Sequence, residues 1–197
     1  MAHRNILILD GHPAERSLSR LFAEKYAAAA RSAGNDVEVI HLHDLAFDVD
    51  FGQGNYTAFK PLEPDLQRFM ELVKWSDHFV LFAPMWWGGL PAKLKGLFDR
   101  AFLPGLAFDP RNKTKIGMPA PLLTGRTARF IVTSDTPMWF LRLVYKRAIL
   151  HTVQGQIMKF VGMRPRAPLW FSGASDADDS KIQRWIGQVE KVALQGV

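Results

Sequence analysis

The chain has no cysteine, which removes disulfides, thiolate metal sites and a cysteine nucleophile together. It has no uninterrupted apolar run near the ~18 residues that a membrane-spanning helix needs. Its opening stretch, Met1-Ala2-His3-Arg4-Asn5-Ile6-Leu7-Ile8-Leu9-Asp10, carries too short an apolar run for a signal peptide. The expected location is the cytoplasm. No Gly-x-Gly-x-x-Gly turn follows the first apolar run, which disfavours a dinucleotide-binding dehydrogenase. Repeats, low-complexity tracts and linkers are also missing, so residues 1–197 read as a single domain. Although the net charge is +6 and the pI about 9.7, there is no dense basic run and no alternation of basic with aromatic residues. Lys and Arg gather only loosely, at Arg111-Asn112-Lys113-Thr114-Lys115 and Met163-Arg164-Pro165-Arg166. A solvated basic surface is the expectation, a phosphate-bearing small ligand the next reading, and no nucleic-acid partner is expected.

What is present is an ordinary globular composition, 48% hydrophobic and 22% charged over 197 residues, enough to bury a substantial core. Strand-like and helix-like segments alternate. Asn5 to Leu9, Val37 to His41, His78 to Ala83, Thr127 to Thr133 and Ala167 to Phe171 read as strands. Helices are expected over 17–33, after Pro64-Asp65, over Pro91 to Phe102, over Trp139 to Val161 and after Asp178-Asp179-Ser180. In the third of these, Leu94, Leu97, Phe98, Ala101 and Phe102 form the inward stripe, and Lys93, Lys95, Asp99 and Arg100 face out. Residues 44–63 and 103–125 read as long irregular connections. Five strands alternating with five helices imply a parallel sheet covered on both faces by right-handed crossovers.

Three segments fall where a strand ends and a helix begins, which is where open α/β sheets bind ligands. The first is Asp10-Gly11-His12-Pro13-Ala14-Glu15-Arg16-Ser17-Leu18-Ser19. Gly11 lets the chain turn, while Arg16, Ser17 and Ser19 supply charge, hydroxyls and amides at a helix N-terminus, a phosphate site without a lysine loop. The simpler reading is that Ser17 only caps the helix and that His12 is an ordinary loop histidine. The second is Pro84-Met85-Trp86-Trp87-Gly88-Gly89, whose indoles call for a flat cover; filler or a dimer contact is the simpler reading. The third, Thr133-Ser134-Asp135-Thr136-Pro137, offers hydroxyls and amides to a heterocycle rim, or else is a strand-to-helix turn with Pro137 at the first helical position. His41-Leu42-His43-Asp44 is the nearest thing to a metal cluster and reads better as a strand end.

On these residues the chain resembles the flavodoxin-like NAD(P)H:quinone oxidoreductases, which include quinone reductases and the ancillary flavoproteins of bacterial potassium efflux. The resemblance lies in Gly11-His12-Pro13 with Arg16-Ser17-Leu18-Ser19, in Ala83-Pro84-Met85-Trp86-Trp87 with Leu90-Pro91-Ala92-Lys93-Leu94-Lys95, and in Phe98-Asp99-Arg100-Ala101-Phe102 with Pro104-Gly105-Leu106-Ala107-Phe108. It implies a flavodoxin-like three-layer sandwich with a five-stranded parallel sheet in the order 2-1-3-4-5. It also implies that His12, Arg16, Ser17, Leu18 and Ser19 hold a flavin phosphate. Pro84, Met85, Trp86, Trp87 and Gly88 would pack along the isoalloxazine, and Thr133, Ser134, Asp135 and Thr136 would complete the site. A flavin is the implied cofactor and NAD(P)H the co-substrate; FMN is expected, with FAD as the alternative, because the chain is short and no adenine pocket is legible. A quinone or similar flat acceptor and a homodimer are the implied partners, with peripheral membrane association left open.

Two departures stand out. Gly88 replaces a frequent aromatic. Asp135 falls in a turn that the family often builds as Thr-Thr-Gly-Gly, and its charge would disfavour a reduced anionic flavin. No Tyr or His matches the acid and base of some quinone reductases, so no catalytic side chain is named. The competing readings are a non-catalytic electron carrier, disfavoured because such carriers are usually acidic, and a flavin-bearing regulatory subunit of a membrane transporter.

Overall fold

The computed structural model describes residues 3–52 and 60–195; residues 53–59 of the expected irregular connection lie outside the described residues. Three strands are buried along almost their whole length: β1 (Asn5–Asp10), β3 (His78–Pro84) and β6 (Thr127–Ser134). Each is an apolar run because each meets protein on both faces. Alternation sorts their side chains. Leu7, Leu9, Phe79, Leu81 and Phe130 join a core with helices α2 (Pro64–Trp75) and α3 (Ala92–Ala101). Ile6, Ile8, Val80, Phe82 and Ile131 join a second core with α1 (Leu18–Ser32) and α6 (Asp179–Leu194).

Strand β2 (Asp36–His41) pairs with β1, β1 with β3, and β3 with β6, all in parallel. The far edge is occupied twice, by β7 (Arg164–Pro165) and β8 (Leu169–Ser172), both parallel to β6. The order is therefore the expected 2-1-3-4-5 with its fifth position split. Pro165 and Pro168 have no N–H to give, so the ladder lapses between the two pieces. Residues 103–125, expected to be irregular, contain an antiparallel hairpin of β4 (Phe108–Lys113) and β5 (Pro119–Pro121).

The expected helix from Trp139 to Val161 is broken. Helix α4 (Met138–Leu143) stops, Lys146 and Arg147 take left-handed φ of 47° and 56°, and the chain resumes as α5 (Ala148–Leu150) and a π-helical segment, His151–Lys159. The break lets Leu141 and Ile149 both stay buried. Arg100, expected to face out, is fully buried, and Lys93 donates to the carbonyls of His43 and Leu45. Both straps hold the irregular segment after β2 against α3, where Val49 lies so close to Gly96 that a Cβ there would meet it at 2.9 Å.

His78, at the start of β3, is buried and bonded through Nδ1 to the Thr127 hydroxyl at 2.9 Å. Burial, with the nearby Arg129 charge, pushes its pKa from 6.5 down to about 3, against the opposing Thr127 hydrogen bond. Between those two values the unfolded chain binds a proton that the folded one does not, so stability falls as pH falls through this window, by about 1.4 kcal/mol per unit. His78→Gln should remove about one proton equivalent from the slope of unfolding free energy between pH 6 and 4.5, measured by denaturant titration. An unchanged slope would show that His78 does not control this acid sensitivity.

Candidate functional site

The first turn leaves β1 beneath the sheet's carboxyl edge. Asp10, at the strand end, has no exposure. Its carboxylate accepts the His12 amide at 3.2 Å and pairs with His41 Nδ1 at 3.1 Å. Gly11 donates to the Phe82 carbonyl at 2.7 Å, and a Cβ there would lie 2.9 Å from that oxygen and 2.6 Å from Leu94. Only glycine lets the loop lie this close to β3. Ser17 caps α1, its hydroxyl accepting the Arg20 amide at 3.0 Å. Leu18 and Ser19 follow, in the first turn where helix amides have no partner of their own. The exposed Arg16 guanidinium makes no hydrogen bond or ion pair among the described residues.

The second turn is a tight hairpin. Trp86 and Gly89 exchange both amide-to-carbonyl bonds, at 3.0 and 2.8 Å. Between them Trp87 and Gly88 adopt φ of 50° and 76°, the two positive values of a type I′ turn. The Met85 amide is committed to the Thr133 carbonyl, so the amides left for a ligand here are those of Trp87 and Gly88. The His12 ring meets Trp86 edge-on at 5.6 Å. A fully exposed Trp in left-handed backbone is strained. Asn suits that conformation, so Trp87→Asn should raise stability by about 1 kcal/mol in thermal or chemical melts; a destabilised variant would show that the indole supports the turn.

In the third turn the Thr136 amide donates to Ser134 Oγ at 2.9 Å. Asp135 accepts from the Ser175 amide at 2.7 Å and the Ser175 hydroxyl at 2.8 Å. These bonds hold its carboxyl below the usual carboxylate range, so it stays ionised and braces the loop after β6 to the loop after β8.

These turns enclose two adjoining cavities. The first, about 240 Å³, is lined by His12, Arg16, Ser17, Leu18, Ser19, Pro84, Met85, Trp86, Thr133, Ser134 and Asp135, with Ala174 and Ser175 added. The second, about 440 Å³, shares Met85, Ser134 and Asp135 and adds Trp87, Gly88 and Thr136 with Leu141, Tyr145, Ala148 and Ile149. Each of the fourteen residues that the resemblance assigned to the flavin lines one or the other. The six that sequence reasoning missed follow β8 or sit at the broken helix, and no motif marks them. His41 and His43 do not converge: one faces Asp10 and the other the Pro13 carbonyl.

A parallel sheet of this order, with a cleft across the carboxyl ends of its first, third and fourth positions, is the flavodoxin-like class. A family model described as "Flavodoxin-like fold" matches residues 4–192, and the chain belongs to that family. An "FMN-dependent NADH:quinone oxidoreductase" of Ruegeria pomeroyi is 33% identical over 134 residues, covering 60% of this chain and 63% of that protein. An "Uncharacterized NAD(P)H oxidoreductase" of Haemophilus influenzae is 29% identical over 117 residues, 58% of each chain. The chain thus spans about three-fifths of the length of these two curated relatives. Among solved structures, the NAD(P)H:quinone oxidoreductase from Methanothermobacter marburgensis superposes with a TM-score of 0.80 at 24% identity, over 98% of this chain and 96% of that one. That likeness bears on the fold.

Proposed function

We propose that this chain is a flavin-dependent oxidoreductase that holds FMN at the carboxyl edge of its sheet and passes a hydride from NAD(P)H to a quinone or similar flat acceptor. The observation that carries this reading is the chemical division of the two cavities. One ends at a helix N-terminus with Arg16, Ser17 and Ser19; the other is walled by Trp87, Leu141, Tyr145, Ala148 and Ile149. That donor set fits a phosphate-tailed planar ring. FMN, when bound, supplies the hydride chemistry.

The residues do the rest. Arg16 and the first-turn amides of α1 bind the phosphate dianion, helped by the helix dipole. Trp86, steadied by His12, gives the ring a flat wall. The amides of Trp87 and Gly88 donate to its polar edge, where charge develops on reduction. Asp135, already bonded to Ser175, has less charge free to oppose that reduction. The apolar second cavity excludes water and admits NAD(P)H and the acceptor in turn. FMN is favoured over FAD because the relative of Ruegeria pomeroyi is named as FMN-dependent. We take residues 1–197 as one flavin-binding domain acting in the cytoplasm as a homodimer; no described helix is long and apolar enough to cross a membrane.

The purified protein, reconstituted if necessary, should be yellow and release FMN on denaturation, identified by mass spectrometry. It should oxidise NADH or NADPH only when a quinone is supplied in excess. A colourless protein after exposure to either flavin would remove the reading, and a yellow protein inert toward NAD(P)H would be an electron carrier.

A further inference from the structure

From Thr136 to Ser175 the chain has no Asp or Glu but six Lys or Arg. Within this stretch the break between α4 and α5 forms a raised knuckle. Leu141 and Ile149 are buried and anchor its two ends, while every residue from Arg142 to Ala148 is exposed. The Tyr145 and Arg147 amides close back on the carbonyls of Phe140 and Leu141, fixing its shape. The knuckle is both greasy and basic. Leu143 is 73% exposed, Trp139 60% and Val144 52%, interleaved with Arg142, Lys146 and Arg147. Apolar side chains this exposed and this close together mark an interaction surface rather than scattered exposure.

We infer that this knuckle docks the protein on an anionic lipid surface. Trp139 and Tyr145 have the amphipathic rings that settle at a headgroup boundary. Leu143 and Val144 supply the apolar insertion, and the three cations meet acidic lipid. A second copy fits the same surface poorly. A two-fold contact centred on the knuckle would set the patch against itself, cation against cation, with no carboxylate in this stretch to offset them. Docking would also turn the mouth of the second cavity, of which Tyr145 and Ala148 are part, toward the bilayer, where an apolar acceptor dissolves. That last consequence rests on the proposed activity; the docking does not.

The test is co-sedimentation of the whole protein with vesicles of phosphatidylcholine alone or mixed with phosphatidylserine. Binding to the mixed vesicles, weak or absent on phosphatidylcholine and falling with added salt, is expected. Each of Arg142→Glu, Lys146→Glu and Arg147→Glu should weaken it, by on the order of fivefold or more. Trp139→Ser with Leu143→Ser should weaken it while leaving the melting temperature unchanged. No binding to mixed vesicles, or binding indifferent to these substitutions, overturns the inference. So does conversion of a dimer to a monomer by the Trp139 and Leu143 changes, which would assign the patch to a second copy. Because the readout needs no flavin, its failure is separate from failure of the flavin reading.

Discussion

Ser17→Asp should abolish FMN retention while leaving the fold intact. Asp caps a helix as well as Ser does and an acid at this end favours the helix dipole, so α1 should melt no earlier than in the parent. What changes is a carboxylate placed beside the position assigned to the phosphate, in a cleft lined by Arg16, Leu18 and Ser19. At about 4 Å and an effective dielectric near 20, two like unit charges repel by about 4 kcal/mol, which corresponds to an affinity loss on the order of a thousandfold. Titration followed by flavin fluorescence measures it. Unchanged affinity in a folded variant would refute the phosphate assignment. Ser17→Ala, which leaves Arg16 and the amides in place, should lose far less.

Arg100→Ala should be among the most destabilising single changes outside the central strands. The guanidinium is fully buried, and both of its terminal nitrogens are engaged. It donates to Glu63 at 2.9 and 3.1 Å, to the Pro61 carbonyl at 3.1 Å, and to the Asp48 carbonyl. Partial burial raises the Glu63 carboxyl, but backbone amides and the Arg100 fork outweigh it and leave the carboxyl below its ordinary range. Truncation strands Glu63 and two carbonyls, and breaking such a pair costs about 3–5 kcal/mol. Denaturant unfolding should show a loss of that size, and Arg100→Lys should recover only part of it because one ammonium cannot span the same acceptors. A loss below about 1 kcal/mol would mean that solvent replaces these bonds.

The central strands were legible because β1, β3 and β6 are buried on both faces and so spell themselves as apolar runs. The site was legible for a related reason: carboxyl ends of such strands must turn sharply, and the residues at those turns are the ones that reach a ligand. What escaped had no local signature. Pro110, Pro119 and Pro121 argue against strands, yet they sit in a two-stranded hairpin off the main sheet, where few ladder amides are required. Lys146 and Arg147 hold left-handed backbone without Gly or Pro to announce it; tertiary burial of Leu141 and Ile149 imposes the break. Arg100 falls on the polar side of its helix pattern, and its partner Glu63 is 37 residues away. The basic knuckle was hidden by treating charge as a sum, since it is the run without acids that sets it apart.

The most direct measurement of the central claim compares FMN with riboflavin, which has the same ring and no phosphate, by quenching of flavin fluorescence. If the tail is held by Arg16 and the start of α1, FMN should bind tighter by on the order of a hundredfold or more, since each charge-assisted hydrogen bond contributes about 1.5–3 kcal/mol. Equal affinity for the two, or no affinity for either, would contradict a flavin seated against Trp86 with its phosphate at that helix.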